Sequence, residues 1–386
     1  GHIGDMGLFY CPACGLEREQ RLRERNFSDW PGSAGTLLAT GAWEEALYAR
    51  AAGGLGVGDV RALRACLELQ PQVCARRGQD GRTLLHLAAE AGSTDAVRAL
   101  LDTFSETYGR YVELGKGLEL YEDNFGATAG EYAFARGHQE AFDMLVASAC
   151  DRPRPSNFCA EHNKAYVQQK LKYENDVLYD ETGRGVMMGW ETPLMARHAE
   201  LIAPEPGRSV LNVGFGLGII DGFLQERQPR RHTIGEAHPD VYAEIRRRGW
   251  LERDGVQVVF GRWQDMQEQL VASGPFDGIF FDTYAEMYGD MQEFFSLLPR
   301  LLRPGGVFSF FNGLSDKNIF AQAISCRVAQ ADLAKLGLLC LFEPVDLAVS
   351  DAEWRKVVLQ YWSLDTYYVP LAVLLPPQGV PAGPEG

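Results

Sequence analysis

No stretch of this 386-residue chain approaches the roughly 18 consecutive apolar residues that a membrane-spanning helix requires, and no apolar leader core opens it. Positive charge is scarce: 37 Lys and Arg stand against 52 Asp and Glu, a formal net charge of −15. A surface of that sign repels phosphate backbones and anionic lipid, so neither direct nucleic-acid binding nor membrane association is expected, and a basic partner is favoured. Cysteine is sparse as well, and of the eight residues only Cys11 and Cys14 form a close pair, CPAC. Tetrahedral zinc needs two more ligands, but no second CxxC or HxxxH lies nearby, so no metal is expected. Reduced thiols suit a cytoplasmic home. A Walker-type Gly-Lys-Ser/Thr is missing too, which removes the P-loop nucleotide enzymes. With 46% hydrophobic residues, what is present is a globular chain with material for two or three domains.

Residues 80–101, DGRTLLHLAAEAGSTDAVRALL, read as a turn followed by two short helices. Asp80-Gly81 makes the turn, Thr83 and His86 tie it to the first helix, and Gly92 separates the helices. Val97, Leu100 and Leu101 give the second helix its inner face. The unit resembles the ankyrin repeat. A second copy starts at Asn124-Phe125-Gly126, and residues 58–63 match the second helix of a degraded one. Gly81 and Gly126 lie 45 residues apart, longer than the ~33-residue period, so an insertion is expected within 103–122. His86 reads as a turn-stabilising histidine. Such stacks do no chemistry and serve as adaptors.

The proline-rich DRPRPSN from Asp151 supports no helix or strand and marks a domain boundary. The organisation expected is an N-terminal segment (1–40), ankyrin-like repeats (41–150), a linker (151–162), a catalytic domain (163–376) and a flexible tail (377–386). Residues 163–179 suit a helix followed by an irregular lead-in. From 208 onward strands and helices alternate: strands over 209–213, 231–236, 256–260, 276–282 and 306–312, and helices over 220–228, around 291–302 and over 318–336. That alternation implies a Rossmann-like α/β fold, a mostly parallel sheet covered on both faces. The first strand runs into Gly214-Phe215-Gly216-Leu217-Gly218-Ile219, a tight turn whose backbone can approach a ligand. Glu236 follows Gly214 by 22 residues, the separation at which a carboxylate meets ribose hydroxyls.

The loop lacks the third spaced glycine of the dinucleotide pattern, and LPRLLRPGGV from Leu298 resembles the LxxLLxPGG turn of class I methyltransferases. VMMGWETPLM from Val186, VLNVGFGLGI, EAHP, GRWQD, FDGIFFDTY and SFFNGL are together similar to the guanidinoacetate methyltransferase group. With the ankyrin-like region in front, the chain resembles the type IV protein arginine N-methyltransferases, which methylate the δ nitrogen of arginine. The resemblance is dense over 160–376 and loose over 58–150. It implies S-adenosylmethionine as cofactor, leaving as S-adenosylhomocysteine. Glu236, with Ala237 and His238 behind it, would hold the ribose, Trp263 and Gln264 would flank the adenine, and Gly214–Ile219 would wrap the methionine moiety. Met187 or Met188, Met195 and an aromatic such as Tyr166 or Tyr173 would close the pocket. Met187, Met188, Trp190 and Trp263 also have a plain alternative as core filling.

A guanidinium is delocalised, with a pKa above ~12, and is a poor nucleophile until oriented and deprotonated. Two carboxylates in a water-poor site grip its fork, and one can take the proton. By resemblance these are Glu191, in WETP, and Asp282, in FDTY. Asp282 also touches the cofactor, and Glu191 sits in a lid over the donor. Their plain alternatives are a strand-end cap and an N-cap neighbour. Trp190, Thr283, Tyr284 and Glu286, with Tyr288, are expected to shape the acceptor pocket. His198 receives no catalytic role. Gly189 departs from the ERWETP version of the motif in the small-molecule enzyme.

The leading function is methylation of an arginine in a protein that the ankyrin units dock. By resemblance that substrate would be a ribosomal protein, and the cytoplasm, extended to the nucleus, the location. Two alternatives are a small-molecule guanidinoacetate-type methyltransferase and a cofactor-binding ankyrin scaffold without turnover.

Overall fold

The computed structural model describes residues 57–108, 117–150, 160–316 and 318–376, and the chain divides into two units between Pro155 and Ser156. Cys11 and Cys14, the segment 1–40 and the tail 377–386 lie outside the described residues, as does most of the stretch read as a linker.

In the first unit the helices are α1 (Val57–Leu69), α2 (Leu84–Glu90), α3 (Thr94–Tyr108), α4 (Ala129–Ala135) and α5 (Gln139–Cys150). Gly81 and Gly126 share a left-handed backbone, φ +81° at each, which only glycine adopts without strain. The two turns stack: the Asn124 N–H donates to the Asp80 carbonyl and its side-chain amide to that of Gln79, both at 3.0 Å. His86 is fully buried. Its Nδ1 meets Thr83 Oγ1 at 2.9 Å, and its Nε2 reaches the Ala127 carbonyl of the next repeat at 3.2 Å. The expected turn role is the observed one. The first part of the expected insertion, from Thr103, is the last turns of α3 instead.

The second unit opens with α6 (Ala160–Tyr166), which begins inside the stretch read as linker. The expected irregular lead-in is an antiparallel meander of β1 (Lys172–Glu174), β2 (Val177–Tyr179) and β3 (Gly185–Met188). Asn175 and Asp176, with φ of 50° and 59°, form the two-residue turn that joins β1 to β2. Side chains tolerant of positive φ outweighed a helical spacing.

Then come α7 (Thr192–Ile202), β4 (Ser209–Val213), α8 (Ile219–Glu226), β5 (Arg231–Glu236), α9 (Pro239–Arg247), β6 (Val256–Phe260), α10 (Gln267–Ala272) and β7 (Phe276–Phe281). They continue into α11 (Tyr288–Phe295), α12 (Leu298–Leu301), β8 (Leu302–Phe310), α13 (Ile319–Lys335), β9 (Leu338–Asp346), α14 (Asp351–Trp354) and β10 (Thr366–Leu374). The single helix expected near 291–302 is two, separated before Pro299. The seven strands lie in the order β6-β5-β4-β7-β8-β10-β9, all neighbours parallel except those of β10. That is a class I methyltransferase sheet. Every residue of β4 and β7 is buried, as strands covered on both faces must be. One face packs Ala199, Leu224 and Ile245 of α7–α9 on Val210, Ile234 and Phe280. The other packs Phe294, Leu301 and Leu333 on Leu211, Ile279 and Phe308.

Packing of α7 on β7 is close enough that a Cβ at Gly278 would stand 2.1 Å from the Ile202 carbonyl oxygen. Gly278→Ala should therefore cost about 1–3 kcal/mol or more in denaturant unfolding. Gly222, within α8 and with nothing near its Cβ position, should tolerate alanine and gain about 0.5–1 kcal/mol. Equal stability of the two variants would contradict the packing.

Candidate active site

The carboxyl ends of β4, β5, β6, β7 and β8 converge on one cavity of about 350 Å³. It lies where the chain leaves β4 and β7 toward opposite sides of the sheet, the usual ligand crevice of open α/β folds. At this switch point a Cβ on Gly214 would come within 1.8 Å of the Asp282 carbonyl oxygen, and one on Gly216 within 2.7 Å of Met187 Sδ. Only a glycine backbone fits between these walls.

A buried polar brace holds the loop from beneath. Asn212 Nδ2 donates to the Gly214 carbonyl at 2.9 Å and to both carboxylate oxygens of Asp221, at 3.0 and 2.9 Å. His232 Nε2 donates to Asp221 Oδ1 at 3.0 Å, its Nδ1 accepting from the Gln225 amide at 2.9 Å. Asn212, Asp221 and His232 are all fully buried. Sequence reading missed this brace because its members look like unrelated polar residues on β4, α8 and β5. Glu236 fixes the loop from the side: Oε2 accepts from the Phe215 N–H at 2.9 Å and Oε1 from the His238 N–H at 2.6 Å. Burial raises its pKa above the ordinary carboxylate value, and these hydrogen bonds oppose the rise.

Further along the wall, Glu286 accepts from Trp263 Nε1 at 2.9 Å, Gln264 Nε2 at 2.7 Å and the Thr283 hydroxyl. Gln264 Oε1 and Asn163 Oδ1 are buried in residues that line the cavity and have no partner among the described residues. A buried carbonyl without a donor is costly, so both await a ligand N–H or O–H. A glycine cradle, a ribose-spaced carboxylate and a Trp-Gln wall with an open acceptor fit the nucleoside and amino-acid ends of S-adenosylmethionine.

Glu191 and Asp282 face the same cavity. Glu191 stands at the N-cap position of α7 but makes no side-chain bond to that helix; its carboxylate caps the short turn Gly189–Glu191 that precedes it. Its Oε1 accepts from the Met188 N–H at 2.8 Å and from Tyr361 O–H at 2.6 Å. Among the described residues nothing donates to the Asp282 carboxylate. Burial raises both pKa values, and the negative charge of Asp282 adds to the rise at Glu191. Two carboxylates in a desolvated site, one without a donor, make a receptor for a cation with several N–H groups.

Other expected site residues are distributed more widely. Tyr166, Met187, Ala237, Thr283 and Tyr284 line the cavity with those above. Tyr166 stacks between His238 and Tyr284, at 4.9 Å from each ring, so His238 is buried behind it. Met188, Met195 and Phe215 are not in the cavity wall: all are core, with Phe215 against Trp250. Gly218, at φ +72°, turns the chain into α8. Tyr173, Trp190, Leu217 and Ile219 border a separate cleft on the outer side of the loop, Tyr173 donating to the Gly216 carbonyl at 3.2 Å. Glu286 belongs to the Trp263–Gln264 wall rather than to an acceptor pocket, and Tyr288 turns away to Asp332 at 2.9 Å. His198 is core: it meets Ser309 Oγ at 2.8 Å and the Tyr367 hydroxyl at 3.3 Å, and burial pushes its pKa down to about 3. Asn163, Arg184, Leu359 and Tyr361 also line the cavity and went unread, since none sits in a motif. Among the described residues, no group of three or more His, Cys, Asp or Glu is placed to hold a metal.

The guanidinoacetate N-methyltransferase family model matches residues 158–327, and that of ankyrin repeats in three copies matches 56–154. Protein arginine N-methyltransferase 2 of Eremothecium gossypii is 44% identical over 289 residues, covering 68% of this chain and 69% of that protein. The enzyme of the same name from Aspergillus oryzae is 44% identical over 211 residues, 54% of this chain and 51% of its own. That from Saccharomyces cerevisiae is 38% identical over 218 residues, 55% and 53%. The chain thus spans about half the length of the latter two.

Burial of the two carboxylates, with their mutual repulsion, has a stability signature. Glu191 and Asp282 hold protons more tightly when folded than when unfolded, where a carboxylate ionises near pH ~4. Their ionisation therefore destabilises the fold as pH rises from that value into the neutral range, and costs nothing below it. Glu191→Gln keeps an oxygen for both donors and removes one charge. It should be more stable to unfolding than the parent at about pH 8, by about 1–3 kcal/mol, and lose the advantage near pH ~4. A constant difference across that range would mean that neither burial nor the neighbouring charge raises the Glu191 pKa.

Proposed function

The chain belongs to the protein arginine N-methyltransferase 2 family, and on that premise we propose that its α/β unit methylates the guanidino group of an arginine side chain in a protein. The observation that carries the reading is the pair Glu191 and Asp282 facing one cavity beside the Gly214–Gly216 loop. Bound there, S-adenosylmethionine supplies an electrophilic methyl group on a sulfonium. Glu236 would hold its ribose, Gln264 would accept from its adenine end, and the glycine loop would take its amino-acid end. Glu191 and Asp282 draw in the guanidinium, fix its plane by N–H···O bonds and leave one nitrogen facing the donor. Asp282, to which nothing among the described residues donates, takes the guanidinium proton as the nitrogen becomes nucleophilic. Tyr166, Tyr284 and Met187 exclude water.

The δ nitrogen, a ribosomal protein as substrate, and a cytoplasmic location extended to the nucleus complete the proposal. Support for a basic protein partner is the net charge of −15, and ankyrin repeats suit protein contacts. No described helix is long and apolar enough to cross a membrane. One observation favours a small-molecule acceptor instead: Arg184, exposed at the cavity rim, could pair a carboxylate.

The two readings separate in a cell extract given methyl-labelled S-adenosylmethionine. The expected result is label in a protein, released on hydrolysis as δ-monomethylarginine. Label confined to metabolites and rising with guanidinoacetate would overturn the protein substrate. Glu191→Gln and Asp282→Asn should each cut turnover by about 100-fold or more while binding the cofactor as the parent does.

A further inference from the structure

We propose that Tyr361 is the positioning residue of the site: its hydroxyl clamps one oxygen of Glu191 so that the other alone meets the guanidinium. The inference rests on the role given to Glu191 above.

Tyr361 lies in the irregular segment between α14 and β10, 170 residues from Glu191 and beyond the 158–327 stretch that the methyltransferase family model covers. Its O–H donates to Glu191 Oε1 at 2.6 Å, the shortest bond the carboxylate makes. Since the Met188 N–H takes the same oxygen, Oε1 is saturated and Oε2 has no partner among the described residues. A carboxylate held this way cannot rotate to offer both oxygens. It presents one acceptor to a ligand, whereas Asp282, with neither oxygen engaged among the described residues, presents two. The asymmetry fixes which side of a planar guanidinium each carboxylate takes, and hence which nitrogen is left for methyl transfer.

The phenol is itself immobilised. Its ring stands 5.6 Å from that of Trp190 and 5.3 Å from that of Trp354, which are 5.4 Å from one another. The same segment is tied to the β2–β3 turn by the Val358 N–H, which donates to the Gly183 carbonyl at 3.1 Å. Burial beside Glu191 and Asp282 keeps the Tyr361 hydroxyl protonated far into alkaline pH, so it remains a donor wherever Glu191 is ionised.

Tyr361→Phe removes the hydroxyl and keeps the ring. Donation to an ionised carboxylate lowers its pKa, so the variant's Glu191 should titrate at higher pH. In selectively δ-¹³C-glutamate-labelled protein, the resonance assigned by its loss in Glu191→Gln should titrate higher by about one pH unit. With a methylatable acceptor, kcat should fall about 10–100-fold, cofactor affinity should hold, and the acid limb of kcat/KM should move the same way. In a Glu191→Gln background the added Tyr361→Phe should cost little more, because the tyrosine acts through the carboxylate. Trp354→Leu, which loosens the aromatic packing but spares the hydroxyl, should leave the limb in place. An unmoved Glu191 titration in Tyr361→Phe overturns the proposal, as does a limb that Trp354→Leu moves equally. The NMR titration needs no turnover, so it decides even if the methyl-transfer reading fails.

Discussion

Everything at the candidate site depends on how closely the backbone leaving β4 passes the backbone leaving β7. A Cβ at Gly214 would nearly coincide with the Asp282 carbonyl oxygen, so the two strands are in contact at the edge where their chains diverge. That approach puts a cofactor loop and a catalytic-type carboxylate at one point without any loop having to reach. It also explains the brace beneath. A left-handed glycine run has little preference of its own, and Asn212, Asp221 and His232 hold it in the single shape that leaves a cavity.

The cavity is charged against its own stability. Burying Glu191 and Asp282 side by side raises the affinity of both for protons, a conflict that a cation bound between them would relieve. The site is therefore selective by electrostatics before any shape is considered. A neutral acceptor of the same size would leave the repulsion unrelieved. The hydrogen bonds on Glu191 make the pair unequal, so one carboxylate orients and the other is free to take a proton.

The two units were legible in the sequence to different depths. In the repeats, the Thr83–His86 and glycine positions encode local turns, and local turns survive folding unchanged. In the α/β unit, β4 and β7 fall where the apolar runs placed them, because a strand buried on both faces is mostly apolar. The meander β1–β3 was misread, since short half-exposed strands carry a weak periodicity and the turn at Asn175-Asp176 is encoded by two residues. Met195 and Phe215 were drawn into the cofactor list by their motifs, although the helix and loop that carry them turn their side chains into the core.

Sequence by itself determined the alternating elements of the α/β unit, the glycine loop and the ribose-spaced Glu236, which are encoded by residue type and by spacing along the chain; the two carboxylates were identified by resemblance. Only the tertiary structure decided which groups meet across long separations: Tyr361 with Glu191, Glu286 with Trp263 and Gln264, and His232 with Asp221. A hydrogen bond fixes a distance of about 3 Å in space and leaves no periodic trace along the chain. Such partners become visible only when the sheet has set its strand order.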